Sequence, residues 1–111
     1  PFEMPRQGLR GRRGRVVALS EYGGHSLRVE GHDWSSREFG YRRHRSAEDL
    51  AQAFGELHER LAGFVPEGLA ATVYTQVSDV EDELNGLLTW DREVQKLPTA
   101  VVRAALDQLR R

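Results

Sequence analysis

A short apolar run, Arg15-Val16-Val17-Ala18-Leu19-Ser20, leads directly into Glu21, and Tyr22, Gly23 and Gly24 follow. Such β-branched runs predict a buried strand of a parallel sheet, and the paired glycines predict a turn. A carboxylate carried out of the C-terminal end of a strand has rigid support below it and open space above, which is what a carboxylate nucleophile needs. Other chemistries are poorly served. The chain has no cysteine, which excludes a disulfide framework, a thiolate zinc site and a cysteine nucleophile. His25, His32, His44 and His58 share no spacing that puts two ligands on one helix or strand face, so no metal site is expected.

The elements that must position Glu21 follow from periodicity. Between Tyr22 and Arg45 neither period is sustained, and Trp34, Phe39 and Tyr41 predict a long loop packed by its own aromatics. Ser46 and Asp49 form a capping box, after which Leu50, Phe54, Leu57 and Leu61 recur at helical spacing until Gly63. Gly55 within that helix costs about 1 kcal/mol relative to alanine. Pro66, Glu67 and Gly68 mark a turn, and Leu69 to Val77 is rich in strand formers. A polar loop from Ser78 to about Lys96 precedes a second helix, capped by Thr99, with Val102, Ala105, Leu106 and Leu109 on one face. The order strand, helix, strand, helix calls for a parallel sheet covered by helices, joined by right-handed crossovers. Residues 1–14, with four arginines among three glycines, read as a loop or tail.

With 111 residues the chain falls in the single-domain range, and 39% apolar with 30% charged residues is ordinary for a folded chain. Sixteen Lys and Arg against seventeen Asp and Glu leave a formal charge of −1, so no global field favours nucleic acid or an anionic membrane. No apolar run approaches the roughly 18 residues of a membrane helix. The absence of cysteine is compatible with a cytoplasmic location.

Leu19-Ser20-Glu21-Tyr22-Gly23-Gly24, followed some fifty residues later by the stretch from Tyr74 through Trp90 to Arg92, resembles the end of the catalytic barrel in family 2 glycoside hydrolases, the β-galactosidases, β-glucuronidases and β-mannosidases. The resemblance spans Arg15 to Arg111. It implies an α/β fold made of the last two βα units of a TIM (β/α)8 barrel, with residues 15–111 as its C-terminal quarter and an incomplete domain. A complete barrel takes about 250 residues. It also implies that Glu21 is the nucleophile of a retaining hydrolase acting on terminal β-linked sugars, without a cofactor. The acid/base glutamate of the family ends the fourth strand, and no such segment is present here.

In that frame Tyr74 and Trp90 are expected to pack on the flat C–H face of a sugar, while Gln76, Asp79 and Asn85 are expected to bond its hydroxyls. His25 and His32, near Glu21 in sequence, are further candidates for a hydroxyl contact. Many family members have tryptophan where Tyr74 stands. β-Glucuronidases carry a lysine after the asparagine that reads the substrate carboxylate; here Gly86 follows Asn85, so a neutral sugar such as galactose is expected. The expected partners are a carbohydrate and the remainder of the barrel, and the unpaired strands predict self-association of the chain alone, without glycosidase activity. The competing reading is a non-catalytic carbohydrate-binding or regulatory module derived from such a barrel. A weaker one is RNA binding through the segment from Arg6 to Arg15.

Overall fold

The computed structural model describes residues 15–35 and 42–110. The chain is a small mixed α/β domain of four short strands and two helices: β1 (Val17–Gly23), β2 (His25–Leu27), β3 (Arg42–His44), α1 (Ala47–Ala62), β4 (Leu69–Thr75) and α2 (Thr99–Asp107). Residues 1–14, together with Phe39 and Tyr41, lie outside the described ones.

β1 and β4 are parallel neighbours, as strands joined through a helix should be. Tyr22 stands opposite Tyr74 and Gly23 opposite Thr75, so Glu21 and Gln76 lie toward the same end of the sheet. β1 runs three residues further than its apolar run predicts, because pairing resumes at Tyr22 and Gly23 beyond an irregularity. Glu21 is therefore inside the strand and not just after it. The expected long loop from Tyr22 to Arg45 contains a second parallel pair, with His25, Ser26 and Leu27 opposite Arg42, Arg43 and His44. Three-residue strands carry too few residues for alternation to show in sequence.

α1 forms where its cap and stripe require. The Ser46 hydroxyl accepts the Asp49 N–H at 3.1 Å, satisfying a free donor of the first turn, and Glu48 and Asp49 oppose the positive end of the helix dipole. Leu50, Phe54, Leu57, His58 and Leu61 make the buried face. α2 departs from expectation at both ends. Pro98 precedes it without a side-chain cap, Thr99 is already helical, and the Thr99 hydroxyl accepts from Gln95 Nε2 at 2.9 Å instead. Ala105 is buried and Val102 half-buried, but Leu106 is 42% exposed.

The core has two parts. Tyr22, Leu57, Leu61 and Leu69 form one, with Val17 and Leu19 against it; Leu27, Leu50, Phe54, Leu97 and Ala105 form the other. Tyr74 packs against both and joins them. The strands are not buried on both faces: Ala18 of β1 is exposed and Val73 of β4 is 58% exposed, so the β1–β4 sheet keeps one open side. Among the described residues no helix is long and apolar enough to cross a membrane.

Candidate functional site

Glu21 is exposed, and its placement comes from a bulge. Leu19 stands opposite Thr72 and Tyr22 opposite Tyr74, so β1 carries one residue more than β4 between these points, with Ser20 and Glu21 in the irregularity. A bulge re-aims the side chain it carries and adds twist, which is why bulges recur beside reactive groups. Gly23, at φ 111°, is required here. A Cβ on it would stand 2.7 Å from the Thr75 carbonyl oxygen and 2.8 Å from the Tyr74 ring, so only glycine lets β1 close on the end of β4.

Below Glu21 the support is aromatic and polar together. The buried Tyr22 hydroxyl lies 2.9 Å from His58 Nε2, and His58 Nδ1 lies 2.7 Å from the Phe54 carbonyl. A carbonyl can only accept, so Nδ1 carries the proton and Nε2 accepts from the tyrosine. Burial lowers the His58 pKa, in keeping with this neutral tautomer. Tyr74 meets Tyr22 and Phe54 edge-to-face, with centroids 5.2 and 5.3 Å away, and burial followed by Tyr22 raises its pKa. Its ring is therefore a packing element of the core. Nothing in the sequence singled out Tyr22–His58, although His58 lies four residues after Phe54 on the stripe of α1, the signal that places it inside.

Beyond β4 the chain turns back on itself through the loop 76–97. Gln76 N–H donates to the Asn85 carbonyl, and its Nε2 donates to Asn85 Oδ1 at 2.6 Å. Two of the expected sugar contacts are thus bonded to each other, with Asn85 buried. Asp79 is buried as well. Its Oδ1 accepts from Lys96 Nζ at 2.7 Å and from the Gly86 N–H at 2.9 Å, and Lys96 also donates to the Leu84 carbonyl. Burial raises the Asp79 pKa and outweighs Lys96, which acts in the opposite direction. Asp79 and Lys96 hold the loop in shape; only the tertiary structure pairs these two residues seventeen positions apart.

The outer part of the loop is tied to residues 28–35. His32 Nδ1 lies 2.8 Å from Asp91 Oδ2, Thr89 donates to Asp91 Oδ1 at 2.5 Å, and Ser35 donates to Asp82. The Thr89 hydroxyl, then His32, hold the Asp91 carboxyl down to about 2, so it is ionised at neutral pH. Ligand atoms of His32, Asp91 and Glu93 lie within 4.8 Å of one another, a set able to hold a cation that no spacing on a single element could have indicated. Trp90 is 42% exposed and meets Trp34, 57% exposed, edge-to-face at 5.2 Å. His25 Nδ1 faces His44 Nε2 at 2.8 Å, with the rings stacked. Neither His25 nor His32 has both ring nitrogens free for a sugar hydroxyl.

The structure thus brings Gln76 to Asn85 and Trp90 to Trp34, sets Glu21 and Gln76 toward one end of adjacent strands, and folds Asp79 inward. No protein-family model matches this chain, and no curated protein matches it.

Proposed function

We propose that this chain is the C-terminal quarter of the barrel of a family 2-like retaining glycoside hydrolase, with Glu21 as its nucleophile and a terminal β-galactoside or similar neutral sugar as substrate. The observation that carries the reading is the parallel pairing of β1 with β4, with Glu21 held in a bulge toward their C-terminal end, the end at which α/β sheets gather their reacting groups. Two features support it further: the motif around Glu21 and the open side of the sheet at Ala18 and Val73, which suits strands of a larger barrel. In such an enzyme the Glu21 carboxylate attacks the anomeric carbon as the bond to the leaving oxygen breaks. A second glutamate, expected from the fourth strand, protonates that oxygen, and water activated by the same group then releases the sugar from Glu21. Gln76, at the same end of β4 and only partly buried, is the candidate hydroxyl partner, with Asn85 holding its side chain in place; Trp90 offers a stacking face.

The test is Glu21→Gln in the intact parent enzyme, assayed on an aryl β-galactoside. The amide keeps the shape but cannot attack carbon, so turnover is expected to drop by at least about a thousandfold with the thermal midpoint nearly unchanged. Wild-type turnover by the folded variant would remove Glu21 from this role.

A further inference from the structure

His25 and His44 come from different strands and meet nitrogen to nitrogen, His25 Nδ1 standing 2.8 Å from His44 Nε2. His25 is 6% exposed, and Ser26 beside it, fully buried, donates its hydroxyl to the Arg42 carbonyl at 3.2 Å. Strands of three residues pair too briefly to hold by backbone bonds alone, so this ring-to-ring bond matters to the β2–β3 ladder. The ladder in turn fastens its surroundings. Arg42 N–H donates to the Gly24 carbonyl, Gly24 N–H donates to the Thr75 carbonyl at the end of β4, and Leu27 N–H donates to the Leu84 carbonyl in the loop 76–97. Gly24 follows Glu21 by three residues, so the ladder braces the end of β1 that carries this carboxylate. The core cluster of Tyr22, Leu57, Leu61 and Leu69 contains no residue of either short strand and does not need the ladder to stay packed.

A bond between two imidazoles has a fixed proton capacity. With both rings neutral, one offers an N–H and the other a lone pair; a first added proton makes one ring an imidazolium, which still donates to its neutral partner. A second proton leaves no acceptor and sets two N–H groups against each other across 2.8 Å. The surroundings oppose that state further. Among the described residues, Arg42 on β3 and Arg60 on α1 act on His25 as positive charges and Arg42 acts on His44 as well, while Arg43 and Arg45 flank His44 in the chain. Asp49, in the first turn of α1, is the carboxylate that offsets them at His44. His58, the titratable group on the buried face of α1, has its ring nitrogens on Tyr22 and the Phe54 carbonyl. Burial, the largest influence on both rings of the pair, works in the same direction as the arginines. Once the ladder parts, both rings reach water and take protons at the ordinary value of about 6.5. We propose that the His25–His44 bond is a proton-operated latch: acid parts β2 from β3 while α1 and the β1–β4 sheet stay folded, and so loosens the end of β1 that carries Glu21. The latch does not depend on Glu21 being a nucleophile.

Native-state hydrogen exchange on the 111-residue chain tests it, with rates expressed as protection factors so that the intrinsic effect of pH divides out. Each proton taken up on parting multiplies the opening constant by about ten per pH unit, so between about pH 6.5 and 4.5 protection at the Gly24, Leu27 and Arg42 amides should fall by about a hundredfold or more. The Leu57 and Leu61 amides of α1 should stay better protected than these three at every pH. His44→Gln puts an amide near the position of Nε2, neutral throughout and able to accept from an imidazolium at His25, so the fall over the same range should shrink to about tenfold. If circular dichroism shows that His44→Gln does not fold, His25→Asn, whose amide stands near the position of Nδ1, gives the same reading. Ladder amides as well protected as Leu57 and Leu61 at every pH would make the opening global and overturn the latch. So would protection that does not change with pH, or a fall as steep in the folded amide variant as in the wild type.

Discussion

Around α1 and the β1–β4 sheet, the interior is held by Leu50, Phe54, Leu57, Leu61, Leu69 and the ring of Tyr74, with a single buried polar pair, Tyr22–His58. In the loop 76–97 the proportions reverse. Leu84 and Leu97 are buried, but the segment's shape comes from Asp79, Asn85, Thr89 and Lys96, all buried and all hydrogen-bonded. The first region gains stability from each apolar contact and degrades gradually when one is lost. The second depends on mutual satisfaction of polar groups, where a single deletion leaves its partner buried without compensation. Gly86 marks the difference: a Cβ there would stand 2.3 Å from the Asp79 nitrogen, so the network closes only around a glycine.

The sharpest way to break this comparison is Lys96→Met. Burial already pushes the Asp79 pKa up against the pull of Lys96, so the pair contributes little net stability, yet removal of the ammonium strands a buried carboxylate. A loss of about 3–5 kcal/mol is expected by denaturant titration, most of it recovered in Lys96→Met with Asp79→Asn, which keeps an acceptor for the Gly86 N–H. A cost below about 1 kcal/mol in the single variant would show that the network does not hold the loop.

In the apolar region the matching probe is Phe54→Ala. Phe54 is 1% exposed and touches His58 and Tyr74, so about 3–4 kcal/mol should be lost, with no second substitution at a polar site able to recover it. If Asp79→Asn rescued this variant too, the two regions would be one unit.

The histidine pair of β2 and β3 sharpens the contrast with pH. Burial, then His44, then Arg42 hold His25 down to about 4, with Arg60 adding to the effect, whereas Asp49 pulls His44 the other way and burial still lowers it. The unfolded chain therefore binds the proton first. The contribution of the pair is fully present above about 6.5 and is lost as pH falls toward about 4, at up to about 1.4 kcal/mol per pH unit. Thermal midpoints measured across that window should fall with acid in the wild type and flatten in His25→Asn.

Gly55→Ala is the smallest effect and of opposite sign. A Cβ there meets nothing within 4 Å, so the helix should gain about 0.5–1 kcal/mol, visible as a small rise in midpoint without change at the loop.

The amino-acid sequence alone determined α1, from the Ser46 cap to the last turn, because a cap and a 3.6-residue stripe are local and each residue reports its own side of the helix. It determined the two principal strands to within three residues and, through the strand–helix–strand order, their parallel pairing. That Glu21 and Gln76 lie toward one end of the two strands follows from the same order, but the sequence put Glu21 just after β1 and the structure puts it inside. The β2–β3 ladder, the aromatic setting of Tyr74, the Asp79–Lys96 pair, the Trp34–Trp90 contact and the His32–Asp91 pair were decided only by tertiary structure. Each joins residues far apart in the chain, and none of these partners is marked by a local period or spacing. A buried polar group and an exposed one look alike until the fold supplies the partner that makes burial tolerable.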